Sequence, residues 1–298
     1  MNNETIGELD KGLVYIVTGH RQYYRECLRS VQSLYGSGYQ GSTLITAEDP
    51  NMLGQLRNSA KIRIEKIPLK GNSHELSRRM KTTMAQWTPF SDTLYLDTDT
   101  IIQRPIDAIW DILDGSSMGL SLDDIPTLGD VLKTCVLTGR YSLDEAAYTR
   151  KICSPISPQY NGGVFLFHKC CSTEEFFSIW EKEWLRFKHL DQLALMRAIT
   201  ITNVGVGLLD ATYNSPKSVQ VENKGKAVIF HYWDYRRPVK RGWRIIKESI
   251  RNKGYPVLKK VGLIKIVKKM LAYRPSAKKQ TRIYEAVRAH ELRDEIIK

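Results

Sequence analysis

Between Leu13 and Leu96 short apolar runs alternate with longer amphipathic ones, and this alternation leaves few architectures open to the chain. Residues 13–18, 42–46, 62–67 and 93–96 have the length and composition of strands. The stretches 24–34 and 74–87 carry their apolar residues at helical spacing, in the second case Leu76, Met80, Met84 and Trp87. A polar turn or short helix at 51–58 separates two of the strands. Such βαβ alternation predicts an α/β fold with a mostly parallel central sheet flanked by helices. In sheets of this kind ligands bind beyond the carboxyl ends of the strands.

The fourth strand runs into that position as Leu94-Tyr95-Leu96-Asp97-Thr98-Asp99-Thr100. Period-two geometry points Asp97 and Asp99 the same way. Two neighbouring carboxylates repel unless a cation lies between them, so the pair asks for a hard divalent metal, magnesium or manganese, shared with a phosphate-bearing ligand. A solvated turn is the plainer alternative for Asp-x-Asp alone. Beyond it, Pro105 starts a short helix at 106–113, a strand follows at 118–122, and 122–157 shows no readable period.

Three later segments carry further candidates. In Pro158-Gln159-Tyr160-Asn161-Gly162-Gly163-Val164 a glycine pair enters an apolar strand, which permits either a bulge or close approach of a ligand. Helices are expected at 173–187 and 191–199, the second opening on Asp191-Gln192, where Asp191 could serve as an N-cap. A last strand, 227–233, ends in His231 and aromatics. Five cysteines, odd in number and without a Cys-x-x-Cys pair, fit reduced thiols, and the polar residues Met1-Asn2-Asn3-Glu4 do not resemble a secretory signal. A cytoplasmic protein is the expectation.

The order Lys81, Asp97-Thr98-Asp99, Asn161-Gly162-Gly163, Asp191-Gln192 and Phe230-His231 resembles the metal-dependent glycosyltransferases of the GT-A fold, above all family 8, which includes glycogenin and bacterial lipopolysaccharide galactosyltransferases. The resemblance spans about residues 13–235. It implies a Rossmann-like catalytic domain over 1–235, a nucleotide-diphosphate sugar (a UDP-sugar) as donor, a glycan or glycolipid acceptor, and transfer with retention. It further implies that Asp97, Asp99 and His231 hold manganese (or magnesium), and that Asn161, Gly162 and Gly163 lie beneath the sugar. Asp191 and Gln192 would stand at the reacting carbon, with Lys81 and Thr98 at the donor. Tyr15, Thr18 and Gly19 would sit by the base and ribose. After His231 the basic and aromatic residues stand in a different order from the family's, leaving Arg237, Lys240 and Arg241 as alternative diphosphate contacts. Leu193 replaces an acid common in relatives.

Two other readings share these residues. Asp-x-Asp-x-Thr after an apolar strand also resembles the haloacid-dehalogenase phosphatases, with Asp97 as nucleophile, although that motif normally opens its fold. A non-catalytic membrane- or nucleic-acid-binding adaptor would have no need of Asp97, Asp99 and His231 together.

The chain's net charge of +13 is concentrated. Residues 236–282 hold seventeen Lys or Arg against Glu248 alone, a local +16 that leaves the remainder at −3. Within them Leu263, Ile264, Val267, Met270 and Leu271 form one helical face flanked by lysines. This pattern predicts a basic amphipathic C-terminal extension, 236–298, lying on an anionic membrane surface and making the enzyme a peripheral membrane protein. Nucleic acid is the poorer partner, since few aromatics there could stack on bases.

Overall fold

The computed structural model describes residues 9–138, 141–216 and 227–232. The basic extension and the alternative diphosphate contacts Arg237, Lys240 and Arg241 lie outside them. In chain order the elements begin β1 (Leu9–Val17), α1 (Arg21–Gly36), β2 (Ser42–Ala47), β3 (Ile62–Lys66), α2 (Ser73–Thr82), α3 (Met84–Trp87), β4 (Phe90–Leu96) and β5 (Thr100–Ile102). They continue with β6 (Met118–Thr127), α4 (Leu128–Thr138), α5 (Leu143–Ile152), β7 (Pro158–His168), α6 (Cys171–Phe187), α7 (Asp191–Thr202), β8 (Val206–Leu208), β9 (Ser215–Pro216) and β10 (Ile229–His231). Short 3-10 segments occupy Pro50–Leu56, Asp107–Asp114 and Ala211–Asn214.

Among the described residues seven strands form one sheet in the order β3-β2-β1-β4-β7-β6-β8. All run the same way except β7, which is antiparallel to both β4 and β6. The chain moves outward from β1 through β2 to β3, then returns to place β4 on β1's other side. The crevice between the carboxyl ends of β1 and β4 is therefore a topological switch point. The central strand β1 is buried on both faces from Leu13 to Val17, as its unbroken apolar run requires.

Alternate residues feed two cores. Leu13, Tyr15, Val17, Leu94, Leu96 and Leu166 pack with α1 and Trp110 on one face. Val14, Ile16, Tyr95, Phe165 and Phe167 meet α2, α3 and α6 on the other, where Phe167 and Phe177 ring centroids lie 4.7 Å apart. A third cluster closes α4 and α5 against Leu193 and Met196 of α7.

Three local readings need correction. The helix expected over 74–87 breaks at Thr83, whose hydroxyl donates to the Arg79 carbonyl (2.8 Å) and whose backbone leaves the helical region. The segment after Pro105 is 3-10 rather than α-helical. Asp191 is not an N-cap: Leu190 holds that position, and the Asp191 carboxylate is turned to cations. Cys27, Cys153, Cys170 and Cys171 are free thiols. No helix among the described residues is long and apolar enough to cross a membrane.

Candidate functional site

The antiparallel course of β7 builds the site. Because β7 enters at the carboxyl ends of the parallel strands, its first residues lie beside the turn after β4: Leu96 pairs with Val164, and the Asp97 amide donates to the Gly163 carbonyl (2.7 Å). The chain then turns through half-buried Asp97, Thr98 and Asp99 into β5, which pairs with β10 so that His231 faces Thr100. The Tyr232 amide closes the corner on the Asp99 carbonyl (3.0 Å). Residues 132 positions apart thus meet, with His231 Nε2 3.2 Å from Asp99 Oδ1 and 3.8 Å from Asp97 Oδ2.

Asp97, Asp99 and His231 each offer one ligand atom, all within 4.8 Å of one another. Two hard oxygens and an imidazole suit a divalent first-row ion, manganese before magnesium. Gly163 supplies an independent fit. A Cβ there would lie 2.1 Å from His231 Cε1 and 2.9 Å from Asp97 Oδ2, so only glycine lets ring and carboxylate close over the strand. Burial alone would lower the His231 pKa, but the Asp99 and Asp97 carboxylates outweigh it and raise it.

The turn is braced from both sides. Tyr95 donates to Asp97 Oδ1 (2.5 Å), and burial followed by that carboxylate's charge holds the phenol well above its usual pKa. Below, the Asp97 carbonyl accepts from Thr100 Oγ1 (2.9 Å), which bonds Ser30 (2.8 Å), which bonds Tyr15 (3.0 Å). Tyr15 is itself wholly buried, so in this arrangement it reaches the site only from beneath. Thr18 donates to the Ser73 carbonyl (2.8 Å) and the Gly19 amide to Glu48 (2.8 Å). Both follow β1 at the same end of the sheet, and Gly19's φ of +79° favours glycine.

Lys81, buried on α2, lies 3.5 Å from Asp97 Oδ1, 3.3 Å from Asp191 Oδ2 and 4.7 Å from the Tyr95 ring centre. Arg78, one helical turn earlier, lies 3.7 Å from Asp191 Oδ1. Burial would raise the Asp191 pKa, but Lys81 and then Arg78 overcome it and bring it to about 2. Its backbone is tied down as well, the Trp180 indole donating to the Asp191 carbonyl (3.2 Å). Gln192 donates to the Tyr160 carbonyl and to Asp123 (3.4 Å). A substituent on Gly162 would lie 3.7 Å from Lys81 Nζ and 3.9 Å from Gln192 Oε1, so these two flank the floor made by the glycine pair.

The candidates named from sequence therefore converge on one end of the sheet, Tyr15 excepted. Sequence reasoning missed Tyr95, Arg78, Asp123 and Asn214. Arg78 was legible as a neighbour of Lys81 on one helix face; the others are ordinary strand and turn residues whose partners are remote in the chain.

No protein-family model and no curated protein sequence matches the chain. Solved structures do. The galactosyltransferase LgtC, solved with donor and acceptor sugar analogs, superposes with a TM-score of 0.53 at 13% identity, over 77% of this chain and 90% of that one. The bifunctional glycosyltransferase WbbM gives 0.55 at 11% identity, over 80% of this chain and 48% of that one. Mouse xyloside xylosyltransferase 1 gives 0.51 at 12% identity, over 76% and 98%. The architecture is the GT-A fold, as the sequence resemblance implied.

Proposed function

We propose that the chain is a metal-dependent glycosyltransferase that moves a sugar from a nucleotide diphosphate, UDP by resemblance, to a glycan or glycolipid acceptor. The observation that carries this reading is the meeting of Asp97, Asp99 and His231 at the switch point of a GT-A sheet. That the structural neighbours are themselves glycosyltransferases agrees with it. A divalent cation held there would supply Lewis acidity and a template for the donor diphosphate.

The chain's own residues do the rest. Sugar transfer passes through an oxocarbenium-like state as the bond to the diphosphate breaks. Asp191, ionised at any physiological pH, sets a fixed negative charge beside the floor of the sugar subsite and so favours that cationic carbon. Lys81 offers its ammonium to the leaving diphosphate, and its ties to Asp97 and Asp191 hold it in place before substrate arrives. Gln192, its amide nitrogen engaged, presents Oε1 towards the floor, where it can accept from a sugar or acceptor hydroxyl. Thr18 and Gly19 form the rim for base and ribose, and Asn161, Gly162 and Gly163 the floor.

Calorimetric titration with UDP, with and without manganese, tests the reading on wild type and Asp99→Ala. Binding that needs manganese and is lost in the variant is expected. UDP binding indifferent to both would refute the metal site, and phosphatase activity dependent on Asp97 would favour the haloacid-dehalogenase reading. Retention is part of the proposal; an inverted linkage in the proton NMR spectrum of the first product would remove it.

The basic segment 236–298 completes the proposal by holding the enzyme to an anionic leaflet where a glycolipid acceptor resides. Each basic residue near such a surface contributes about 1 kcal/mol. Flotation with phosphatidylserine vesicles should retain the full chain and lose one ending at Tyr235; equal flotation of both would sink the idea.

A further inference from the structure

The metal reading leaves open what makes His231 present Nε2, rather than a protonated edge, to the two carboxylates. A single backbone amide decides it. The Gly163 N–H can only donate, so the Asn161 atom it meets at 2.9 Å is Oδ1. Asn161 Nδ2 then donates to Asp123 (3.3 Å), while the same Oδ1 receives Asn214 Nδ2 (3.1 Å). With its nitrogen so placed, Asn214 has only Oδ1 to offer His231 Nδ1, 2.9 Å away. An acceptor there keeps the proton on Nδ1 and leaves the Nε2 lone pair for a cation.

Asn214 is itself held in place. It is 5% exposed, ends the 3-10 turn that Asp210 caps by accepting the Thr212 amide (2.8 Å), and is followed by Ser215, which pairs with Phe230 of β10. The relay does not stop at Asn161. Asp123 also receives Gln192 Nε2, so His231, Asn214, Asn161, Asp123 and Gln192 form one continuous hydrogen-bonded chain.

We infer that Asn214 is a positioning residue that fixes the His231 tautomer and couples the metal centre to the floor of the sugar subsite. This rests on the metal reading above. Its two functions are chemically separable. Asn214→Leu removes both the acceptor for His231 and the donor for Asn161. Asn214→Asp keeps the acceptor but sets a carboxylate oxygen against Asn161 Oδ1, breaking the link to the floor alone.

The test measures manganese affinity by the EPR signal of free Mn2+, and UDP against UDP-glucose, UDP-galactose and UDP-N-acetylglucosamine by calorimetry with manganese present. Asn214→Leu should weaken manganese roughly 10–100-fold, the usual cost of losing the outer partner of a ligating histidine. Asn214→Asp should bind manganese within about threefold of wild type, as expected of a carboxylate–histidine–metal arrangement, yet lose the preference for a UDP-sugar over UDP. A purely structural role would instead weaken manganese in both variants alike, and that result overturns the inference, as does wild-type affinity in a folded Asn214→Leu. Should Asn214→Leu fail to fold by circular dichroism, Asn214→Asp decides: retained manganese with lost sugar preference supports the coupling, and any other pattern refutes it. A wild type that binds no manganese would overturn the metal reading itself, a failure distinct from the others.

Discussion

Replacing Gly163 by alanine should abolish the candidate metal site while leaving the sheet intact. The added Cβ would stand 2.1 Å from His231 Cε1, 2.8 Å from its Nδ1 and 2.9 Å from Asp97 Oδ2. Carbon atoms in contact sit about 3.5–4.0 Å apart, so the ring must retreat by roughly 1.5 Å. His231 is 3% exposed, and retreat means leaving Asn214 and Asp99. Metal ligands tolerate about 0.2 Å of displacement, so manganese affinity should fall by more than the roughly 100-fold upper end for losing an outer partner. Overpacking of this kind costs about 1–3 kcal/mol of stability, visible as a lower Tm without unfolding. Gly162→Ala is the internal control: its nearest neighbour would be Leu195 Cδ2 at 3.4 Å, an ordinary contact. That variant should keep wild-type Tm and manganese affinity but bind UDP-sugars less well, its methyl occupying the floor between Lys81 and Gln192. Manganese binding by Gly163→Ala equal to that of Gly162→Ala would refute the geometry.

Three further outcomes are expected. Manganese affinity should fall as pH drops through the raised His231 pKa, by about one decade per unit, because the ion must then displace a proton; a flat profile between pH 5 and 8 would count against His231 as a ligand. Asp191, at about pKa 2 folded against about 3.9 unfolded, contributes stability that is full above pH 4 and lost as pH falls towards 2. Lys81→Met removes its largest favourable partner, so urea denaturation should show the variant losing less stability than wild type over that interval. Arg197 is wholly buried between Glu183 (2.7 Å) and Glu145 (3.4 Å), and Arg197→Met should cost about 3–5 kcal/mol by stranding the buried Glu145 carboxylate and leaving Glu183 only Tyr148 and Arg186, with a change under 1 kcal/mol in urea contradicting this.

Arg197 also explains where the sequence was hard to read. The helix α5 turns Glu145 and Thr149 inward, and Arg197 Nη1 donates to Thr149 (2.7 Å) as well as to Glu145. A helix whose buried face is largely polar shows little hydrophobic period, which is why α5 was not legible within 122–157. By contrast β1, β2 and β4 are apolar runs because helices cover both sides, and their order with the intervening helices was legible. Asp97, Asp99 and His231 could be named from their order along the chain. Their convergence depended on the short pairing of β5 with β10, three residues a side, too brief for any pattern to announce. Asn214 and Asp123 matter only through partners that the fold brings to them, so no local spacing marks them.

The reversed direction of β7 has a consequence for how such a protein can diversify. β6 ends and β7 begins at the same edge of the sheet, and the thirty residues between Thr127 and Pro158 leave and return through one neck, closed by the Leu128 amide on the Ser157 carbonyl (3.0 Å) and the Gly129 amide on the Pro155 carbonyl (2.8 Å). That excursion rests on α7, the helix that opens with Asp191 and Gln192, and carries none of the three metal-ligand candidates. It is a cassette: a segment that could be lengthened, shortened or exchanged at its neck with the corner of Asp97, Asp99 and His231 untouched.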